Sequence, residues 1–251
     1  MQSRREVVLG GLLTVGFVPR CACAQSQTFG CVISDQHLVG VLGSRPATFS
    51  FNVDSDAVEN GSGNKDFDRA LAITLAKLSD LLGILPGFAF FNEGTEGQNA
   101  FASRSRRLGR DDGSVVFGQV MFGKLMQSRD SPELGVAAVC SHEFGHILQF
   151  KMDLQNRLVG PDGRVKRLEL HADYLAGYFA GLRKRERADF PAAIFAQTQY
   201  NFGDTAYARA DHHGTPDERG QAVVGGFQAA YRDRKSLSAA IEEGIRFVGA
   251  T

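Results

Sequence analysis

The chain has 251 residues, with 28 basic and 28 acidic side chains that leave no formal net charge. That balance excludes the strongly basic surface by which nucleic acid or an anionic membrane is recognised. The length suits a single domain with a proper core.

The chain starts with Ser3-Arg4-Arg5, an apolar run from Val7 to Val18, Pro19-Arg20, and the small-x-small sequence Ala22-Cys23-Ala24. This is the pattern of a removable export signal spanning 1–24, cleaved after Ala24. The paired arginines and Arg20 favour twin-arginine export of a folded protein, with ordinary secretion as the alternative. The run is well short of the roughly 20 apolar residues of a membrane span, and no later run approaches that length. The expected destination is periplasmic or extracellular. Of four cysteines, Cys31 and Cys140 survive cleavage; they could pair in an oxidising compartment or remain two buried thiols.

Residues 25–64 form an N-terminal segment, in which Ala47 to Val53 alternates weakly as a short strand. The main domain, 65–251, opens with an amphipathic helix over Asp66 to Leu82. Gly87 to Phe91 reads as a strand. Asn99 to Ala102 and Ser114 to Phe117, separated by a polar loop, read as a hairpin. That loop carries Arg104, Arg106, Arg107 and Arg110, which suit either a solvated surface or attraction of an acidic substrate.

Ser131-Pro132-Glu133 is a helix start with a capping serine, and the helix should run to about Lys151. It is apolar nearly all round, so it belongs in the core. Its polar exceptions include His142, Glu143 and His146, in the pattern H-E-x-x-H. Histidines four apart on a helix lie about 40° apart around the axis, one turn above each other, so both can reach one ion. Buried together without a partner they would be costly; a metal supplies the partner. Gly145 costs about 1 kcal/mol relative to alanine in a helix and implies close approach of another backbone.

A loop through Pro161-Asp162-Gly163 leads to a second helix, Val165 to about Arg185, with Glu169, Ala172, Asp173, Ala176 and Ala180 on one face. His171 lies some 200° round the axis from Glu169, so only one of the two can face the metal. Glu169 is favoured, with His171 at the surface or rim. Asp173 can then hydrogen-bond a ligand histidine from behind. Three protein ligands with a fourth position open make a catalytic zinc site. Further helices are expected over Pro191 to Tyr200, Pro216 to Arg232 and Ser236 to Val248.

His-Glu-Phe-Gly-His followed by Glu169-Leu-His-Ala-Asp173 resembles the gluzincin metallopeptidases, in particular the single-domain neutral zinc metallopeptidases whose third ligand lies in an E-x-x-A-D helix. The resemblance covers residues 65 to about 230 and is specific at the two zinc motifs. It implies an α+β, zincin-like fold, mainly helical with a small N-terminal sheet. It also implies one Zn²⁺ held by His142, His146 and Glu169, and Glu143 as general base. The segment His213-Gly214-Thr215-Pro216 with Arg219 resembles the family's later helix start. His213 is therefore the candidate oxyanion donor, with His212, Tyr200 and Tyr207 as alternatives, and Arg219 pairs with a nearby acid. A peptide or protein substrate would add as a strand near Asn99 to Ala102. The expected activity is peptide-bond hydrolysis. The alternatives are hydrolysis of another amide, such as a cell-wall peptide, and a non-catalytic binding or assembly protein on the same fold.

Overall fold

The computed structural model describes residues 31–42, 48–49, 61–93, 99–160 and 163–249. The expected export signal, most of the expected strand over 47–53, and Pro161-Asp162 lie outside these residues. The described chain is mainly helical with a small sheet, an α+β arrangement. In order come α1 (Asp35–Leu42), β1 (Thr48–Phe49), α2 (Lys65–Leu82), β2 (Gly87–Phe91), β3 (Ala100–Ser103), β4 (Ser114–Gly118) and α3 (Gln119–Leu125). Then follow α4 (Pro132–Lys151), α5 (Gln155–Leu158), α6 (Lys166–Glu186), α7 (Ala193–Asn201), α8 (Pro216–Tyr231) and α9 (Leu237–Gly249). No helix among the described residues is long and apolar enough to cross a membrane.

β3 and β4 form the expected antiparallel hairpin, with Ala100 opposite Phe117 and Ser103 opposite Ser114. β2 pairs with the far side of β4 in parallel, giving the order β1-β2-β4-β3. Every residue of β2, β3 and β4 is buried. Successive side chains point to opposite faces of a strand, and here both faces are covered. Phe88, Phe90, Ala100, Ala102, Val115 and Phe117 enter the main core with α2 and α4. Ala89, Phe91, Phe101 and Val116 pack under Ile33 and Leu38 of the N-terminal segment. A sheet covered on both faces reads as continuous apolar runs rather than alternation, and these strands do.

The helix α2 begins where Asn64 accepts from the backbone N–H of Asp66 and Phe67, and it ends at Gly83 in the left-handed conformation. The start of α4 departs from expectation. Ser131 takes φ 45°, ψ 64° and makes no side-chain capping bond. A capping hydroxyl needs an extended backbone to reach back to the first turn, so Pro132 and Glu133 set this start without it. From Gly135 to Phe150 every residue of α4 is buried, which makes it the central rod of the molecule. Gly145 lies where a Cβ would come within 3.1 Å of the Cα of Ala172 on α6, the close approach its sequence position implied. α6 and α8 touch more closely still, backbone against backbone. A Cβ on Gly177 would collide with the Val223 carbonyl, and one on Gly226 with the Tyr174 carbonyl.

Three short helices, α1, α3 and α5, were not expected from the sequence. For α3 the reason is tertiary. The buried carboxylate of Glu93 accepts from the N–H groups of Val120 and Met121, both at 2.7 Å, and so anchors the helix start from a distant loop.

Candidate metal centre

α4 and α6 cross at Gly145 and Ala172, so the side chains one turn away on each helix meet. His142 Nε2 and His146 Nε2 lie 3.1 Å apart. Glu169 Oε2 lies 3.2 Å from the first and 3.6 Å from the second. All three residues are almost wholly buried. The structure thus brings the three expected ligand residues together, with Glu169 rather than His171 beside the two imidazoles.

The groups behind the imidazoles fix their tautomers. Asp173 Oδ1 lies 2.7 Å from His142 Nδ1. Asp173 is gripped by Arg219, whose Nε and Nη2 donate to Oδ2 and Oδ1 at 2.8 and 2.9 Å. Burial opposes its charge, but this guanidinium and His142 hold it ionised, so it only accepts and His142 Nδ1 must carry the proton. On the other ring, His146 Nδ1 lies 2.9 Å from Gln149 Oε1. The orientation of that amide is set by its nitrogen, which donates to the Leu168 carbonyl at 2.9 Å. His146 Nδ1 is therefore also a donor.

With each Nδ1 tied to an acceptor behind it, both Nε2 atoms and a carboxylate oxygen converge on one point. Two imidazole nitrogens and a carboxylate oxygen so placed could hold a metal ion. The acid–base properties reflect the same close packing of imidazoles and carboxylates. Burial disfavours charge on His142, yet Asp173 and Glu169 outweigh it and raise its pKa to about 10. Burial would likewise raise Glu169, but the surrounding histidines hold it well below the usual carboxylate range. The donor set of two imidazoles and a carboxylate suits a divalent transition ion. A fourth potential ligand atom lies with them: Cys31 Sγ and the three others are all within 4.8 Å of one another. Cys31 and Cys140 are both free and buried, so they do not pair.

Next to the cluster lies a cavity of about 190 Å³ whose lining includes Glu143, His142, His213, Arg219, Asn99 and Phe202. Glu143 is buried and its Oε2 has no hydrogen-bond partner. Burial pushes its carboxyl up to about 7, against the lowering influence of His142 and His146. His213 reaches the cavity with its side chain 26% exposed, whereas His212 is turned away onto Asp204 at 2.6 Å. Tyr200 and Tyr207 are exposed on the surface, and neither lines the cavity.

His171 corrects the sequence reading. It is fully buried rather than at a rim. Its Nδ1 accepts from Gln149 Nε2 at 3.1 Å, and its Nε2 donates to the Ile241 carbonyl at 3.2 Å. Burial lowers its pKa to about 4, so it stays neutral and steadies the amide that orients His146. Two of the four loop arginines also find structural duties. Arg107 pairs with Asp35 at 2.6 Å, and Arg104 donates to Gln155 and the Phe150 carbonyl. Gln149, a polar exception in the apolar helix, was given no role by the sequence reading although it stands three residues after His146, the spacing that places it on the same helical face. Cys31 carried no local signal at all.

No protein family, curated protein or solved structure compared with the chain matches it.

Proposed function

We propose that the chain is an exported zinc metallopeptidase that hydrolyses peptide bonds. The observation that carries this reading is the convergence of His142 Nε2, His146 Nε2 and Glu169 Oε2, with hydrogen-bond partners behind both rings that leave their lone pairs pointing inward. A Zn²⁺ ion bound there would supply Lewis acidity, polarising a substrate carbonyl and making water a better nucleophile near neutral pH.

The remaining chemistry belongs to the side chains around the cavity. Glu143, beside His142 on the cavity wall, takes the proton of the attacking water at Oε2, the oxygen with no other partner. It then passes the proton to the leaving amine. A carboxyl titrating near neutrality is suited to both halves of that transfer. His213 faces the same space and donates to the oxyanion as it forms. Arg219 and Asp173 keep the His142 ring in place. A peptide rather than a small substrate is favoured by the space nearby. A second, larger cavity of about 500 Å³ shares Met121 and Phe202 with the first and runs along α3, α4 and α7.

The reading also accords with a zincin-like arrangement, in which the ligand helix lies against a sheet whose edge runs beside the metal. The test is Glu143→Gln. The variant should retain one zinc per chain by elemental analysis while hydrolysis of an unfolded protein substrate falls about 10²–10⁴-fold. Undiminished hydrolysis in this variant would remove Glu143 from the mechanism. A wild-type chain that binds zinc but cleaves neither proteins nor cell-wall peptides would leave a binding role.

A further inference from the structure

Three acceptors are enough to hold a zinc ion for catalysis, yet the structure places a fourth soft ligand at the same point. Cys31 is 138 residues away from Glu169 in sequence, and it is pinned beside it in space. Its backbone N–H donates to Glu169 Oε1 at 3.0 Å. Its carbonyl accepts from Ala102 N at 2.9 Å, and Ile33 N donates to the Ala102 carbonyl at 3.0 Å. Residues 31–33 thus run parallel along the free edge of β3, with Val32 bridged to Ala102.

That edge is where the sequence reading places an extended substrate. In the structure the chain occupies it with its own backbone. The segment is held down beyond the edge as well. Ile33 and Leu38 are sunk against Phe91, Phe101 and Val116, and Asp35 accepts from Arg107 and from Ser105 Oγ. Burial of Sγ among two imidazoles and a carboxylate is not the setting of an inert core thiol. Cys140 shows the contrast, since it belongs to the apolar cluster with Phe144 and Ile147.

We infer that Cys31 is the fourth ligand of the metal and that residues 31–42 form a built-in strap that keeps the site closed. The inference rests on the proposed metal site and adds its regulation. Zinc–ligand bonds of about 2.0–2.3 Å imply ligand-to-ligand edges of roughly 3.3–3.8 Å in a tetrahedron. The imidazole–carboxylate distances of 3.2 and 3.6 Å are close to that range, and Sγ lies within 4.8 Å of those atoms. On binding, the thiol gives its proton to solvent and sulfur takes the position that water needs. A closed four-ligand set is the pattern of a structural site, and an open position is the requirement of a catalytic one. Lifting the strap exchanges sulfur for water and uncovers the β3 edge in one movement, so activation and substrate access are the same event.

The test uses the full chain loaded with Co²⁺ and, separately, with Zn²⁺. The wild type should show an intense near-ultraviolet thiolate-to-cobalt band and, by X-ray absorption on the zinc form, one sulfur scatterer at about 2.3 Å. Cys31→Ala should lose both signals and keep one metal per chain, and Cys140→Ala should change neither. Peptide hydrolysis by Cys31→Ala should rise about tenfold if the wild-type site is open in one molecule in ten. A wild type that binds metal with nitrogen and oxygen ligands alone overturns the strap and leaves the metallopeptidase reading standing. A sulfur signal that survives in Cys31→Ala also overturns it. A chain that binds no metal overturns both readings. Should Cys31→Ala fail to fold, the sulfur scatterer in the wild type decides the matter by its presence or absence.

Discussion

Two pairs of histidines stand on different scaffolds, and each sends one member, His142 or His213, to the cavity wall. His142 and His146 sit one turn apart on α4, with Nε2 atoms 3.1 Å from each other and each Nδ1 tied to an acceptor behind. His212 and His213 are neighbours in the loop before α8. There adjacent side chains diverge: His212 turns inward onto Asp204, while His213 faces the cavity. Asp204 secures both residues, since it also accepts from the His213 backbone N–H at 3.1 Å. A helix delivers two groups to one point by its periodicity alone. A loop delivers one, and needs a carboxylate to hold it.

The sharpest way to break this contrast is to remove one member of the helical pair. His146→Ala should weaken zinc retention after dialysis and abolish hydrolysis, because one of the two converging imidazoles is lost and only His142, Glu169 and the Cys31 thiol remain. In the loop pair the two members should separate. His213→Ala should lower kcat about 10²–10³-fold with zinc content unchanged, while His212→Ala should act on kcat only insofar as it loosens the loop. Equal effects from both variants would remove His213 from its special position.

A smaller effect is expected behind the helical pair. Asp173→Asn leaves the His142 ring without its anionic acceptor and Arg219 without its partner. Zinc affinity should fall about 10–100-fold by competition with a chelator. The smallest effect concerns Asp204. Burial would raise its pKa, but the hydrogen bonds from His212 and from the His213 and Ala206 backbones outweigh it and lower the value to about 2. A folded pKa below the unfolded value contributes stability that is present above the unfolded pKa, about 3.9, and is lost as pH falls toward 2. Urea midpoints measured from pH 5 to 2 should therefore decline less steeply in Asp204→Asn than in the wild type.

Much of the candidate ligand cluster could be read directly because its information is local. H-E-x-x-H and the face of Glu169, Ala172 and Asp173 are statements about helical spacing. The helices α2, α4, α6, α8 and α9 announce themselves by periodicity, capping residues or Pro at the first turn. What could not be read depends on long-range packing. His171 looked like a rim residue from its angle to Glu169, but α9 covers that side of α6 and supplies the Ile241 carbonyl as its acceptor. Ser131 had the chemistry of a cap and the wrong backbone conformation to use it. Cys31 reaches the cluster only because the N-terminal segment joins a sheet edge, and nothing within ten residues of it says so. Gln149 was legible in principle, since its spacing from His146 is as regular as that of the ligands themselves.

The chain of contacts through Gln149 reaches further than the cavity. His146 leans on the Gln149 amide, that amide donates to His171, and His171 donates to a main-chain oxygen of α9. The last helix of the fold, remote from any reacting atom, is thereby wired to the imidazole it never touches. Fraying at the C-terminal end would loosen the His146 ring through this relay, and with it the hold on any ion bound at the proposed site.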